Sequence, residues 1–176
     1  MSARAGLFAF LLAAPAMLAF ACSTPAPDAR FVETAPDGGA TFQPVADMLV
    51  HTCGTLDCHG QPARNLRLYG REGVRWDKDA SPSVNDAGIA TTAAEYEQDY
   101  LSVVGLEPEV LSQVVSQGGA APERLTLVRK GRGDEDHKGG ALYKVGDDRD
   151  LCLRSWLGGN TNTTACARSV DLKIYP

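Results

Sequence analysis

Apolar side chains recur at helical spacing in four separate parts of the chain. Val45, Met48 and Leu49 mark the first, and proline or capping residues begin the others. The first predicted helix spans residues 44–52. The second starts at Thr91 or Thr92, with Glu95 completing a capping box, the third starts at Pro108, and the fourth starts at Asp147 or Asp148. Glycine pairs or single glycines end the last two.

The intervening stretches lack a helical period and favour loops or short extended pieces. The predicted irregular segments are an extended loop over 64–76, a polar loop over 77–88, an extended piece over 125–128, a glycine-rich loop over 131–140 and a tail over 165–176 that could form a strand. The pattern therefore predicts a mostly α, small helical domain with long loops, of the kind that surrounds a cofactor.

The N-terminus has the features of an export signal. Arg4 precedes an uncharged apolar run that ends in Ala19-Phe20-Ala21, a small-residue cleavage site. We expect a signal peptide over residues 1–21, with an uncleaved anchor as the alternative. Cleavage would leave Cys22 first, which predicts a lipid anchor, although the residue three places earlier is alanine where such signals usually have leucine. Plain secretion with a free thiol is the alternative.

Residues 22–41 are rich in Pro, Ala, Gly and Asp, which predicts a flexible tether between the anchor and a domain over 42–176. The chain of 176 residues has a formal net charge of −5, so nucleic acid is not an expected partner. The sequence has no Ser/His/Asp order, phosphate loop or paired carboxylates that would suggest an enzyme.

Five cysteines are an odd number for an exported protein. One assignment gives lipid to Cys22, thioether bonds to Cys53 and Cys58, and a disulfide to Cys152 and Cys166. A rival assignment pairs Cys53 with Cys58 as a second disulfide and needs no cofactor. The count alone does not choose between them.

The segment Cys53-Gly-Thr-Leu-Asp-Cys58-His59 carries the main chemical signal. Covalent attachment of haem needs two thiols and an imidazole directly after the second thiol, which becomes the proximal iron ligand. The usual spacing has two residues between the cysteines, whereas this chain has four. Structural zinc is a further alternative, with His51 as a fourth ligand.

The second axial ligand of such an iron is narrowed by the scarcity of histidine and methionine. Met48 and His51 lie on the short helix directly before the haem segment, so Met48 is expected in the core and His51 at the helix end. His137 lies in a glycine-rich loop far along the chain and is the candidate distal ligand, with an exposed loop histidine as the alternative. A bis-histidine iron would have a lower potential than one with methionine.

These features resemble single-haem c-type cytochromes, in particular cytochrome c-like domains of exported bacterial lipoproteins. The matching pieces are Val45-x-x-Met48-Leu49, Cys58-His59-Gly60, Leu66-x-Leu68, His137-x-Gly139-Gly140, Asp147-Asp148 and Leu153-x-x-Trp156-Leu157. The resemblance implies thioether bonds at Cys53 and Cys58, one haem c per chain, and a terminal helix that packs near the haem edge. The four-residue spacing and the missing distal methionine depart from the family pattern.

The sequence thus predicts electron transfer by a covalent haem, in an exported protein at the periplasmic or outer-membrane face. Its partners would be redox proteins of the periplasm or membrane, with the membrane reached through lipid on Cys22. The alternative is a haem-free, disulfide-stabilised lipoprotein that acts as a binding or interaction module.

Overall fold

The computed structural model describes residues 34–76 and 90–171. Six α-helices form its framework: α1 Gly39–Cys53, α2 Ala93–Val104, α3 Pro108–Ser116, α4 Thr126–Arg132, α5 Asp148–Leu157 and α6 Thr163–Asp171. A 3-10 turn over Pro122–Arg124 precedes α4. These residues contain no strand, so the prediction of a mostly α domain is confirmed. No helix among them combines the length and apolarity that crossing a membrane requires.

Local capping signals place the starts of α2 and α5 as predicted. The Thr92 hydroxyl accepts from the Glu95 amide at 3.3 Å, and the Glu95 carboxylate accepts from the Thr92 amide at 2.8 Å. Asp147 caps α5 by accepting from the Asp150 amide at 3.0 Å. Helix α3 begins at Pro108, where the missing amide hydrogen costs no bond.

Helix α1 begins five residues earlier than predicted, inside the expected tether over 22–41. Its first turn carries Phe42, which is fully buried against Trp156 with ring centroids 5.0 Å apart. Pro44 therefore lies within the helix instead of opening it. The burial of an aromatic ring outweighs the hydrogen bond that proline removes there.

Two predicted extended pieces are helices in the structure. Residues 125–128 enter α4, because the Glu107 carboxylate accepts from the Thr126 amide at 2.7 Å and from its hydroxyl at 2.9 Å. Part of the tail over 165–176 forms α6, which Asn162 caps through the amide of Ala165 at 3.0 Å. Both short segments lacked a readable period, and tertiary contacts decided their conformation.

Helix α1 lies at the centre of the fold and contacts α2, α5 and α6. Its side chains Val45, Met48 and Leu49 are buried, which confirms Met48 as a core residue. The Trp156 indole on α5 donates to the carbonyl oxygen of Asp37 at 2.7 Å and so fixes the chain just before α1. The C-terminal end of α1, at Cys53, leads directly into the candidate site.

Candidate functional site

A cavity of about 540 Å³ lies beside the end of α1 and brings together four residues singled out in the sequence. Cys53, Cys58 and His59 line it from the segment after α1, and His137 lines it from the loop after α4. Its apolar wall consists of Leu49, Leu66, Leu106, Leu127 and Leu142. A concave site with apolar walls and a few polar groups is the usual form of a small-molecule site.

Main-chain hydrogen bonds hold the segment after α1 in a tight loop. The His59 amide donates to the Cys53 carbonyl at 2.9 Å, and the amides of Cys58 and Gly60 both donate to the Thr55 carbonyl. Gly60 and Gly73 pack against each other and against the main chain of Gly54. A Cβ added to either glycine would lie about 2 Å from the carbonyl oxygen of Gly54 and 2.8 Å from the Cα of the other glycine. Only glycine fits at this approach of main chains.

His59 has a defined tautomer. Its Nδ1 lies 2.9 Å from the carbonyl oxygen of Leu66, which only accepts hydrogen bonds, so Nδ1 carries the hydrogen. Burial lowers the pKa of His59 below its ordinary value, and electrostatic repulsion of the protonated ring by the neighbouring His137 and Arg64 side chains lowers this pKa further, against the bond to Leu66. The ring is therefore neutral at pH 7, and Nε2 holds a lone pair.

His137 lies close to His59, with ring centroids 5.9 Å apart and planes inclined by 24°. Its Nδ1 is fully buried and has no hydrogen-bond partner among the described residues. A buried polar atom without a partner is costly, which points to a partner that the protein part alone does not supply. The sequence singled out His137 as the distal ligand of an iron held by His59; the structure shows the two rings close together and does not test the ligand role.

Tyr143 is a site residue that the sequence did not reveal. It lines the same cavity, is almost fully buried, and its hydroxyl has no hydrogen-bond partner within the described part of the chain. Burial raises its pKa strongly, so the hydroxyl remains a donor. Its position depends on Gly131, where a Cβ would lie 2.3 Å from the tyrosine oxygen. Gly131 lies in the predicted glycine-rich loop over 131–140, and it was the sequence feature that could have pointed to a close contact there.

The two cysteines of the segment are free thiols with different surroundings. Cys53 is buried, and burial together with the neighbouring Cys58 raises its pKa to about 12. Cys58 is half-buried at the cavity wall. The rival assignment of a Cys53–Cys58 disulfide is thus not what the structure contains.

Cys152 and Cys166 form the predicted disulfide, with Cα atoms 4.7 Å apart. The bond joins α5 to α6. The predicted signal peptide over 1–21 and the lipid on Cys22 lie outside the described residues, as does most of the predicted loop over 77–88. No observation supports the signal peptide or the lipid anchor, and neither is carried further.

No family model, curated protein or solved structure matches the chain. Among residues 34–76 and 90–171, no group of three or more His, Cys, Asp and Glu side chains is placed to hold a metal ion. The identification as a c-type cytochrome is therefore wrong, and so is the metal-binding character that it implied. The separate alternative of a structural zinc site is wrong for the same reason. A protonated thiol at Cys53 is also a poor metal ligand.

The pieces that carried the resemblance have a simpler explanation in the fold. Leu153, Trp156 and Leu157 are buried in the general hydrophobic core, where Trp156 packs on Phe42 of α1. His51, the candidate fourth zinc ligand, has its Nδ1 3.8 Å from the carboxylate oxygen Oε1 of Glu72. Attachment of haem c to Cys53 and Cys58 and electron transfer are tested by none of these observations and stay predictions.

Proposed function

We propose that the described domain is a disulfide-stabilised binding module that holds a small, mainly apolar molecule in the cavity between His59 and Tyr143. The observation that carries this proposal is the cavity itself, which is walled by leucines and lined by His59, His137 and Tyr143. Two buried polar atoms of these lining residues, His137 Nδ1 and the Tyr143 hydroxyl, have no partner within the described part of the chain, and a ligand would bond to them only after a small shift of their side chains.

The apolar wall supports the same proposal. Leu106, Leu127 and Leu142 are each only partly buried, although they pack against the hydrophobic core. A ligand in contact with them would remove further apolar surface from water, at about 25 cal/mol per Å². The cavity volume of about 540 Å³ is in the range of small-molecule sites.

The disulfide supports a place of action outside reducing compartments. Cys152–Cys166 closes a segment with a sequence separation of 14 between two helices of the core. Such bonds persist in oxidising environments such as the periplasm. We therefore keep export to an oxidising compartment as part of the proposal.

Binding of the neutral fluorophore N-phenyl-1-naphthylamine to the full chain tests the proposal. We expect one molecule to bind per chain with enhanced emission, and Leu142→Trp to weaken binding about tenfold or more by filling the cavity. Leu101→Trp is the matched control, because Leu101 is exposed and does not line the cavity. Binding that is absent, or equally affected by both substitutions, would overturn the proposal.

The same preparation separates this function from the haem prediction. We expect the denatured chain to have the mass of the polypeptide with one disulfide, and no absorption in the visible range. A haem-sized mass increase with a Soret band, lost together in Cys58→Ser, would replace the binding module by electron transfer.

A further inference from the structure

The cavity continues into a shallower groove, and the two share a wall. Ala63, Arg64, Asn65 and Leu106 line both, and Arg67 lines the groove. Arg64 and Arg67 are exposed, so their charged ends meet solvent at the mouth of the site. A ligand that fills the apolar cavity and extends outwards would reach the arginines.

The cations that line the cavity differ in whether a carboxylate already holds them. Lys130 lies 2.9 Å from the Glu135 carboxylate, whereas Arg64 and Lys138 make no ion pair with a described carboxylate. The cavity also has two carboxylates, Asp57 and Glu107, and Glu107 accepts hydrogen bonds from Thr126 with both oxygens. Arg64 and Lys138 therefore offer unpaired positive charge to an anionic partner.

Arg64 retains hydrogen-bonding capacity for such a partner. Its Nε donates to the Cys58 carbonyl at 3.1 Å, which anchors the guanidinium beside the cavity. Among the described residues its terminal nitrogens make no hydrogen bond or ion pair that would compete. A guanidinium with two free nitrogens matches the two oxygens of a carboxylate.

We infer, on the basis of the proposed function, that the ligand is an amphipathic carboxylic acid whose apolar body fills the cavity and whose carboxylate lies at Arg64. The leucine wall holds the apolar body, and the exposed arginine selects the acid. The cavity then discriminates between molecules of the same shape by charge.

A matched pair of probes tests the inference: pyrene-1-butyric acid and its methyl ester, titrated into the full chain at pH 7 by fluorescence. We expect the acid to bind about tenfold more tightly than the ester, as a charge-assisted hydrogen bond would give. This preference should shrink as salt is added, because the arginine is exposed.

Three variants assign the preference to Arg64. Arg64→Gln should abolish the acid preference, so that acid and ester bind alike; Arg64→Lys should keep part of the preference, and Lys144→Gln should not change it, because Lys144 lines neither cavity nor groove. Equal binding of acid and ester, or a preference unchanged in Arg64→Gln, would overturn the inference while the proposed function stands. Failure of both probes to bind would remove the proposed function itself.

Discussion

His59 donates a hydrogen bond from Nδ1 to the carbonyl oxygen of Leu66, seven residues further along the chain, at 2.9 Å. The amide of Leu68 returns a bond to the His59 carbonyl at 2.9 Å, so the ring and the main chain are fixed together. The imidazole therefore has one orientation and one tautomer at the cavity wall.

Nuclear magnetic resonance of the histidine side chains checks this arrangement. Because burial, with a smaller effect of nearby charges, lowers the pKa of His59, we expect it to titrate below 6.5, with hydrogen on Nδ1 in the neutral form. His59→Ala identifies the signal by its loss. A midpoint above 6.5, or hydrogen on Nε2 in the neutral ring, would contradict the geometry.

Asp99 should make stability depend on pH. It is fully buried, and burial raises its pKa to about 8, with Glu95 and Asp47 adding to the rise and the Tyr69 amide opposing it. The folded chain thus keeps a proton that the unfolded chain releases near pH 4, and stability should fall as the pH rises from about 4 to 8.

Asp99→Asn tests this effect. Asparagine keeps the acceptor for the Tyr69 amide and has no charge to bury, so the variant should lose the slope and gain about 1–3 kcal/mol at pH 8. Urea unfolding at several pH values measures it, with the exposed Asp57→Asn as the control. Parallel pH curves for Asp99→Asn and the unaltered chain would rule the effect out.

The buried ion pair between Arg75 and Glu95 should be sensitive to loss of one partner. Two hydrogen bonds of 2.7 and 2.8 Å join them, and the Glu95 carboxylate also caps α2. Although burial alone would raise its pKa, these bonds hold the pKa of Glu95 below its usual value.

Glu95→Gln should therefore destabilise the fold by about 3–5 kcal/mol, because it removes the negative charge of Glu95 from its buried pair with Arg75. Chemical denaturation measures the change. Glu97→Gln, on the exposed face of the same helix, should change stability by less than about 0.5 kcal/mol. Similar values for the two variants would show that the pair contributes little.

Gly60→Ala should destabilise the loop after α1. Its Cβ would lie 2.0 Å from the Gly54 carbonyl oxygen and close to Gly73, and main chain cannot move aside as a side chain can. A cost of about 1–3 kcal/mol or more is expected, read from thermal unfolding. Gly38→Ala meets only ordinary contacts with Tyr100 and should be tolerated. A stable Gly60→Ala variant with unchanged probe binding would contradict the contact.

Removal of the disulfide should weaken the fold. Replacing Cys152 and Cys166 by alanine opens a segment with a sequence separation of 14, for which loss of the cross-link costs about 3 kcal/mol in the chain-entropy model. The midpoint of unfolding in guanidinium measures this loss. A reducing agent should lower the midpoint of the unaltered chain and leave that of the double variant unchanged.

Sequence patterns predicted those helices whose start signals are local. Thr92 with Glu95, Pro108 and Asp147 each lie within three residues of the bond or ring that begins a helix. Helix α4 escaped prediction because its cap, Glu107, lies 19 residues before Thr126 and meets it only in the folded chain.

The candidate site was predicted in part. Cys53, Cys58, His59 and His137 were singled out for their chemistry, and the fold brings all four to one cavity. Tyr143 escaped because its place depends on packing against Gly131, which no local pattern encodes. The family resemblance misled because Leu153-x-x-Trp156-Leu157 is the spacing of any buried helix face.

The central position of α1 has a consequence for how the chain acquires its structure. Its neighbours α5 and α6 are the last described helices, and Trp156 reaches back to Asp37. During synthesis α1 precedes the other described helices; α2 can pack against it early, whereas Trp156 follows Asp37 by 119 residues. Until α5 and α6 have been made, the part of α1 that they cover stays open to solvent, and loss of the C-terminal segment through a premature stop would leave it so.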